Sequence, residues 1–176
     1  FQKPIIAANM DTICGPEMAL QMAQLGGLGI IHRYLTVAQY KEISDAWHAN
    51  NPEFPLAFAV GTLSNDKERI DFCMNGGCEI ICIDIAHGDC QAMLDTIAYI
   101  RASWDGALIA GNTATFEGTK RLIDAGADMV KSGVGSGSVC ATRVKTGCGM
   151  GQLSTVIDCS EAGPIIADGG IKEASH

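Results

Sequence analysis

The sequence predicts an α/β fold, a (β/α)8 TIM barrel that is C-terminally incomplete, with strands 1 to 7 present. Three observations lead there. Short apolar runs alternate with longer segments of helical period along the whole chain. The unit recurs at a spacing of roughly 22 to 35 residues. No Pro/Ser-rich linker separates one unit from the next, so residues 1–176 read as a single partial barrel domain.

The elements follow in order. The first strand is expected at 4–8 (PIIAA), and the first helix at 16–25, where Pro16 suits an opening turn with its fixed φ. The second strand, 27–31 (GLGII), leads to a helix at 37–49 behind Thr36, a residue type that caps helix N-termini. The third, 56–60 (LAFAV), leads to a helix at 66–75 with Asn65 as its cap. The fourth strand, 80–85, precedes a helix at 91–103, and the fifth, 107–110, precedes one at 116–125 that starts after Thr115 and stops at Gly126. The sixth, 129–132, opens a long glycine-rich loop before a helix at 152–162, and the seventh strand is 164–167. A closed barrel has eight strands in about 250 residues, so the 176-residue chain is expected to stop one strand and two helices early. With its seventh strand as an open edge, the isolated piece is expected to be inactive. An open doubly wound sheet would require a topological switch point, which nothing in the pattern calls for.

Composition narrows the function classes. A chain that is 47% hydrophobic can bury one sizeable core. A net charge of -8 repels a phosphate backbone, and no basic patch offsets it, which excludes a general nucleic-acid surface. No apolar run approaches the ~20 residues that span a bilayer, and neither end shows a charged segment leading into an apolar one. The expectation is a soluble protein of the cytoplasm. Eight cysteines, mostly inside apolar segments, read as free thiols in a reducing compartment. Cys73, Cys78 and Cys82 lack the CxxC spacing of a zinc knuckle.

In β/α barrels ligands bind at the carboxyl ends of the strands, and those positions here are polar. They are Asn9 and Asp11, His32 and Arg33, Thr62, Asp84 and His87, Asn112 and Thr113, the loop from Gly133 to Cys140, and Asp168 with Gly169 and Gly170. Any one alone reads as a turn or cap residue; seven converging positions read as a site. Residues 133–151 are too glycine-rich for a helix and too long for an idle turn. Glycines at 133, 135 and 137 let successive backbone groups point inward, so phosphate on N–H groups or a monovalent cation on carbonyls suits the loop. Cys140 ends it, where amide dipoles favour a thiolate. Thr142 can relay a proton if a base activates its hydroxyl. After the last strand, Asp168 suits paired ribose hydroxyls, and Gly169 and Gly170 allow close backbone approach. Together these features suit a ribonucleotide monophosphate with its base against Cys140.

The segments IIAANMDT at 5–12, IDIAHG at 83–88, AGNTAT at 110–115, GVGSGSVCATRVKTG at 133–147 and IIADGG at 165–170 together resemble the IMP dehydrogenase/GMP reductase family. The resemblance spans the chain in order. It implies a (β/α)8 barrel, a cysteine that adds to purine C2 to form a thioimidate, a nicotinamide cofactor and a monovalent cation such as K+. Cys140 then matches the nucleophile and Thr142 the hydroxyl that assists the departing amine. Gly135, Gly137, Cys140 and Arg143 match carbonyl ligands of the cation. Ser138 and Gly170 match nucleotide phosphate contacts and Asp168 the ribose ligand, with Gly169 among the substrate-binding positions. Asp84, Ile85 and Ala86, with Arg33, Val134 and Gly135, match cofactor positions. Arg33 stands where reductases of this type often carry lysine, and Gly151 where proline is common.

Within the family, three features resemble the reductase branch: Ala8-Asn9-Met10 after the first strand, Arg143 to Gly147 after the cysteine, and no room between the second and third strands for a tandem regulatory (CBS) insert. That branch implies NADPH-dependent reductive deamination of GMP to IMP and ammonia, by a protein that is commonly a homotetramer at full length. The alternative is the dehydrogenase branch, NAD-dependent oxidation of IMP to XMP. In either, the remaining catalytic groups are expected beyond His176. A reading from another class is a non-catalytic barrel remnant acting as a binding or assembly partner; the intact Cys140, Thr142 and Asp168 speak against decay.

Overall fold

A computed structural model describes residues 2–173. The chain packs as two compact units: one runs through Ile83 and takes in Ala102–Ala107, and the other comprises Asp84–Arg101 and the chain from Leu108 onward.

The first unit holds strands β1 (Ile6–Ala7), β2 (Leu28–Ile31), β3 (Ala57–Val60) and all but the last residue of β4 (Ile80–Asp84). Its helices are α1 (Pro16–Gln24), α2 (Val37–Asn50) and α3 (Leu63–Phe72), the last continued by a π-helical stretch at Cys73–Gly77. Each strand pairs in parallel with its sequence neighbour: Ile6 with Leu28, Ile30 with Ala57, Ala57 with Ile80. Every residue of β2 and β3 is buried, which is why they read as unbroken apolar runs rather than alternating ones. Gly29 has to be glycine, because a Cβ there would stand 2.3 Å from the Ala19 Cα of α1. Tyr40 of α2 is fully buried, and its hydroxyl donates to the Ala59 carbonyl at 2.7 Å.

Pro16 does open α1, and Thr36 caps α2 in a reciprocal pair with Gln39. The cap expected at Asn65 is a misreading. Helix α3 begins three residues earlier, after Thr62, and Asn65 donates its N–H to the Thr62 carbonyl. The physical reason is Asp66, which is 4% exposed. Its carboxylate accepts the Gly61 N–H and pairs with Arg69, and the helix bends around it with non-helical φ and ψ of -130° and 21°.

The second unit holds α4 (Gln91–Arg101), nearly all of β5 (Ala107–Thr113), α5 (Phe116–Asp124), β6 (Met129–Ser132), α6 (Thr142–Thr146), α7 (Gln152–Ser160) and β7 (Ile165–Ala167). Strands β5, β6 and β7 again pair in parallel in chain order: Ala110 with Val130, Val130 with Ile165. This is the connectivity of a (β/α)8 barrel. It shows no order reversal within either unit, as a doubly wound sheet would require. Strand β5 outruns its apolar stretch by three residues, because Gly111 and Thr113 stay paired with β6 across a register shift. Thr115 caps α5 by accepting the Gly118 N–H. Asp158 of α7 accepts the Phe116 N–H at 2.7 Å, placing a carboxylate at the same helix start.

The glycine-rich stretch is not wholly loop as expected. Residues Thr142–Thr146 contain no glycine and form the single turn α6, which ends at Gly147 with φ 72°.

Candidate active site

The groups that form the site lie in the second unit, at the carboxyl ends of its strands. Asp84 closes β4, Asn112 and Thr113 close β5, Ser132 closes β6, and Asp168 follows β7. The Asn112 amide donates to the Gly133 carbonyl at 2.9 Å and to Asp168 Oδ2 at 2.7 Å. Its own oxygen is buried with no hydrogen-bond partner. Thr113, by contrast, points its hydroxyl at Thr119 of α5 at 2.9 Å and is 2% exposed, so it serves packing.

The loop from Gly133 is drawn tightly onto this frame. Gly133 has φ 144°, donates its N–H to the Thr113 carbonyl at 2.8 Å, and a Cβ on it would meet the Asp168 carbonyl at 2.5 Å. Ser136 Oγ donates to that same carbonyl at 3.1 Å. Met150 N–H returns to the Val134 carbonyl at 3.0 Å and closes the loop's far end. Gln152 at the start of α7 donates to the Ser132 carbonyl at 2.9 Å, while its Oε1 is buried without a partner. Gly169 and Gly170 are consecutive left-handed residues, φ 73° and 77°. A Cβ on Gly169 would stand 2.9 Å from the Gly137 Cα, and one on Gly170 would stand 2.8 Å from the Gln152 Cβ. Only glycine gives the two loops this approach.

Cys140 is half-buried on this loop, with its N–H on the Gly137 carbonyl at 3.1 Å. The Thr142 hydroxyl, the Thr142 amide and the Gly135 amide all donate to its sulfur and hold the thiol below its ordinary pKa, against partial burial and the negative Asp168. The expected amide dipoles are there, with a hydroxyl as the leading cause. Five other thiols, Cys14, Cys73, Cys78, Cys82 and Cys159, are buried. Burial pushes Cys14 up to about 11, and Cys78 and Cys159 are also raised. All eight cysteines are free of disulfides. Among the described residues no group of three or more His, Cys, Asp or Glu is placed to hold a metal ion.

Three residues of the site were not singled out from the sequence: Lys131, Ser136 and Gln152. Lys131 had a detectable signal, being a charged residue within a strand (MVKS), where it is buried along with Val130 and Ser132. Its ammonium lies 2.7 Å from Asp84 Oδ1 and 3.3 Å from Asp168 Oδ2. Ser138, read as a phosphate contact, is exposed on the loop. Ile85 exchanges backbone hydrogen bonds with Gly111 and Asn112, each at 2.9 Å, and Ala86 is exposed beside it. Of the four carbonyls read as cation ligands, that of Gly137 accepts the Cys140 N–H and that of Arg143 accepts the Gly147 N–H. Each keeps a second lone pair. Arg33 belongs to the first unit, where its guanidinium pairs with Asp66 at 3.8 Å and lies 5.3 Å over the Tyr34 ring. No helix among the described residues is long and apolar enough to cross a membrane.

Comparison with known proteins bears on this geometry. The family model described as the IMP dehydrogenase / GMP reductase domain matches residues 1–176. A GMP reductase of Vibrio atlanticus (strain LGP32) is 40% identical over 178 residues, covering 95% of this chain and 50% of that protein. GMP reductase 2 of Bos taurus is 37% identical over 177 residues, with the same coverage of 95% and 50%. The chain therefore spans about half the length of the curated relatives it matches. Among solved structures, the inosine 5' monophosphate dehydrogenase from Legionella pneumophila superposes with a TM-score of 0.88 at 37% identity, covering 96% of this chain and 51% of that one.

Proposed function

Since the chain belongs to the IMP dehydrogenase/GMP reductase family, we propose that the complete protein is a purine nucleotide oxidoreductase of the reductase branch. It converts GMP to IMP and ammonia with NADPH. The observation that carries this reading is the Cys140 sulfur, accessible on its loop and held toward the thiolate by Thr142 and Gly135.

The thiolate adds to C2 of the purine, and the C2–N bond of the amino group breaks as that nitrogen takes a proton and leaves as ammonia. Thr142, already bonded to the sulfur, is the hydroxyl positioned to pass that proton. A thioimidate between Cys140 and C2 remains. A bound nicotinamide cofactor such as NADPH would supply the hydride that C2 needs, and loss of the C–S bond would then restore the Cys140 thiolate. Asp168 accepts the ribose hydroxyls, held by the Asn112 amide on Oδ2. The left-handed Gly169 and Gly170, with Ser138, turn backbone and hydroxyl donors to the phosphate.

The residues present fit the implied cofactor and cation. Asp84 is 28% exposed yet paired with Lys131, so it is both held and reachable by cofactor hydroxyls; Ile85, Ala86, Val134 and Gly135 are the further cofactor positions that the family resemblance implies. Arg33, 31% exposed, offers a cationic group for a phosphate. Neutral carbonyls at Gly135, Gly137, Cys140 and Arg143 are the donor type that K+ prefers. Eight free thiols agree with a reducing cytoplasm, and the full-length protein is read as a homotetramer acting on GMP and IMP.

Reductase is favoured over dehydrogenase by the Ala8-Asn9-Met10 and Arg143 to Gly147 segments and by the reductase relatives. The second reading, NAD-dependent oxidation of IMP to XMP, draws on the likeness to the Legionella dehydrogenase. The complete gene product, assayed with GMP plus NADPH and separately with IMP plus NAD, distinguishes them. Turnover of the first pair alone is expected; turnover of the second alone reverses the assignment. Cys140→Ala is expected to abolish turnover and to leave nucleotide binding in place, and retained turnover would end the covalent mechanism.

A further inference from the structure

A lysine buried in a strand needs a reason. The Lys131 side chain is 9% exposed, and an ammonium at that depth is strongly disfavoured unless carboxylates compensate it. Two carboxylates meet it, Asp84 Oδ1 at 2.7 Å and Asp168 Oδ2 at 3.3 Å. They arrive from the carboxyl ends of different strands, Asp84 closing β4 and Asp168 following β7. The Asn112 amide takes the same Asp168 oxygen as Lys131, so Asp168 is oriented from two sides through one atom. Without the ammonium, two acidic side chains would face each other as like charges in a partly dry site, where such repulsion is poorly screened.

We propose that Lys131 is a positioning residue that holds the dinucleotide-binding carboxylate Asp84 and the nucleotide-binding carboxylate Asp168 together, so that one buried charge organises both ligand sites. This rests on the nucleotide reading above. Lys131 acts through the two aspartates and is not itself placed on the reacting atoms.

The test measures binding, without turnover, in the complete gene product: GMP by calorimetry and NADPH by fluorescence, each alone. Lys131→Met is expected to weaken both by at least about tenfold, in line with truncating one member of a buried charge pair. Adding Asp84→Asn to Lys131→Met removes the repulsion, so GMP affinity is expected to return to within about threefold of the parent while NADPH affinity stays low. A role confined to fold stability would give no such selective recovery. Should Lys131→Met alone fail to fold by thermal melting, the double variant carries the test, since it lacks the opposed charges. Parent-like binding of both ligands by Lys131→Met, or no recovery of GMP binding in the double variant, overturns the inference. Failure of the parent protein to bind GMP overturns the nucleotide reading itself, and the inference with it.

Discussion

Thr142 places both its hydroxyl and its backbone amide on the sulfur of Cys140, two residues before it, and this pair is the leading cause that holds the thiol below its ordinary pKa. A hydroxyl and an amide that donate to sulfur stabilise the charged form. The thiolate fraction of Cys140 near neutral pH is therefore above that of an ordinary cysteine, and alkylation by iodoacetamide is expected to reach half its maximal rate at a lower pH than for a model thiol. Thr142→Val should move that midpoint to higher pH. Asp168 opposes ionisation of the thiol by its charge, so Asp168→Asn should move it to lower pH. Peptide mapping after brief labelling checks both signs, and labelling of buried Cys14 ahead of Cys140 would contradict the account.

Asn112 holds Asp168 by a 2.7 Å hydrogen bond to the same oxygen that Lys131 approaches. Asn112→Ala removes a donor to a charged group, a change of about 1.5–3 kcal/mol. The expected result is a lowered melting temperature, since the bonds to Asp168 and to the Gly133 carbonyl are both lost, together with GMP binding weakened by roughly ten- to hundredfold in the folded protein as Asp168 loses its orientation. Calorimetric titration of the complete protein measures it.

Gly133 cannot accept a side chain. Its φ of 144° and the 2.5 Å that would separate a Cβ from the Asp168 carbonyl both act against alanine. Gly133→Ala is expected to cost about 1–3 kcal/mol of stability from backbone strain alone. It should also displace Asp168, so activity is expected to fall further than melting temperature predicts. Gly76 is the control: it is left-handed at φ 93° but has no heavy atom within 4 Å of a Cβ, so Gly76→Ala should show the stability effect without the loss of activity.

Arg121 donates two hydrogen bonds to Asp89 and lowers its carboxyl pKa below the ordinary 3.8. A carboxylate whose pKa is depressed on folding contributes stability that is present above the unfolded value and is lost as pH falls through the folded one. Asp89→Asn should therefore melt below the parent at neutral pH, and the gap should narrow only in the acid range below about pH 4. A gap that stays constant down to pH 2, within the usual acid-titration range, would assign the effect to packing instead.

Much of the architecture was legible from local pattern. Strands β2 and β3 are buried on both faces, so their apolar runs could not be mistaken, and Thr36, Thr115 and Pro16 mark helix starts by chemistry that operates within four residues. Asn65 misled because a good capping residue stood next to a better reason to start earlier, the buried carboxylate of Asp66. The turn at Thr142–Thr146 was hidden by the glycines on either side of it.

The sequence by itself determined the repeating βα order and the family, and singled out Cys140 as the candidate nucleophile, because strand period, turn chemistry and the Gly133–Cys140 spacing are all short-range features. Only the tertiary structure decided that Lys131 bridges Asp84 and Asp168, residues 47 and 37 positions away from it in the chain, and that Thr113 faces the packing under α5 rather than the site. The physical reason is that a charge in a strand has no local partner. Its role is set by which strand ends the fold brings within hydrogen-bond reach, and sequence spacing carries no record of that distance.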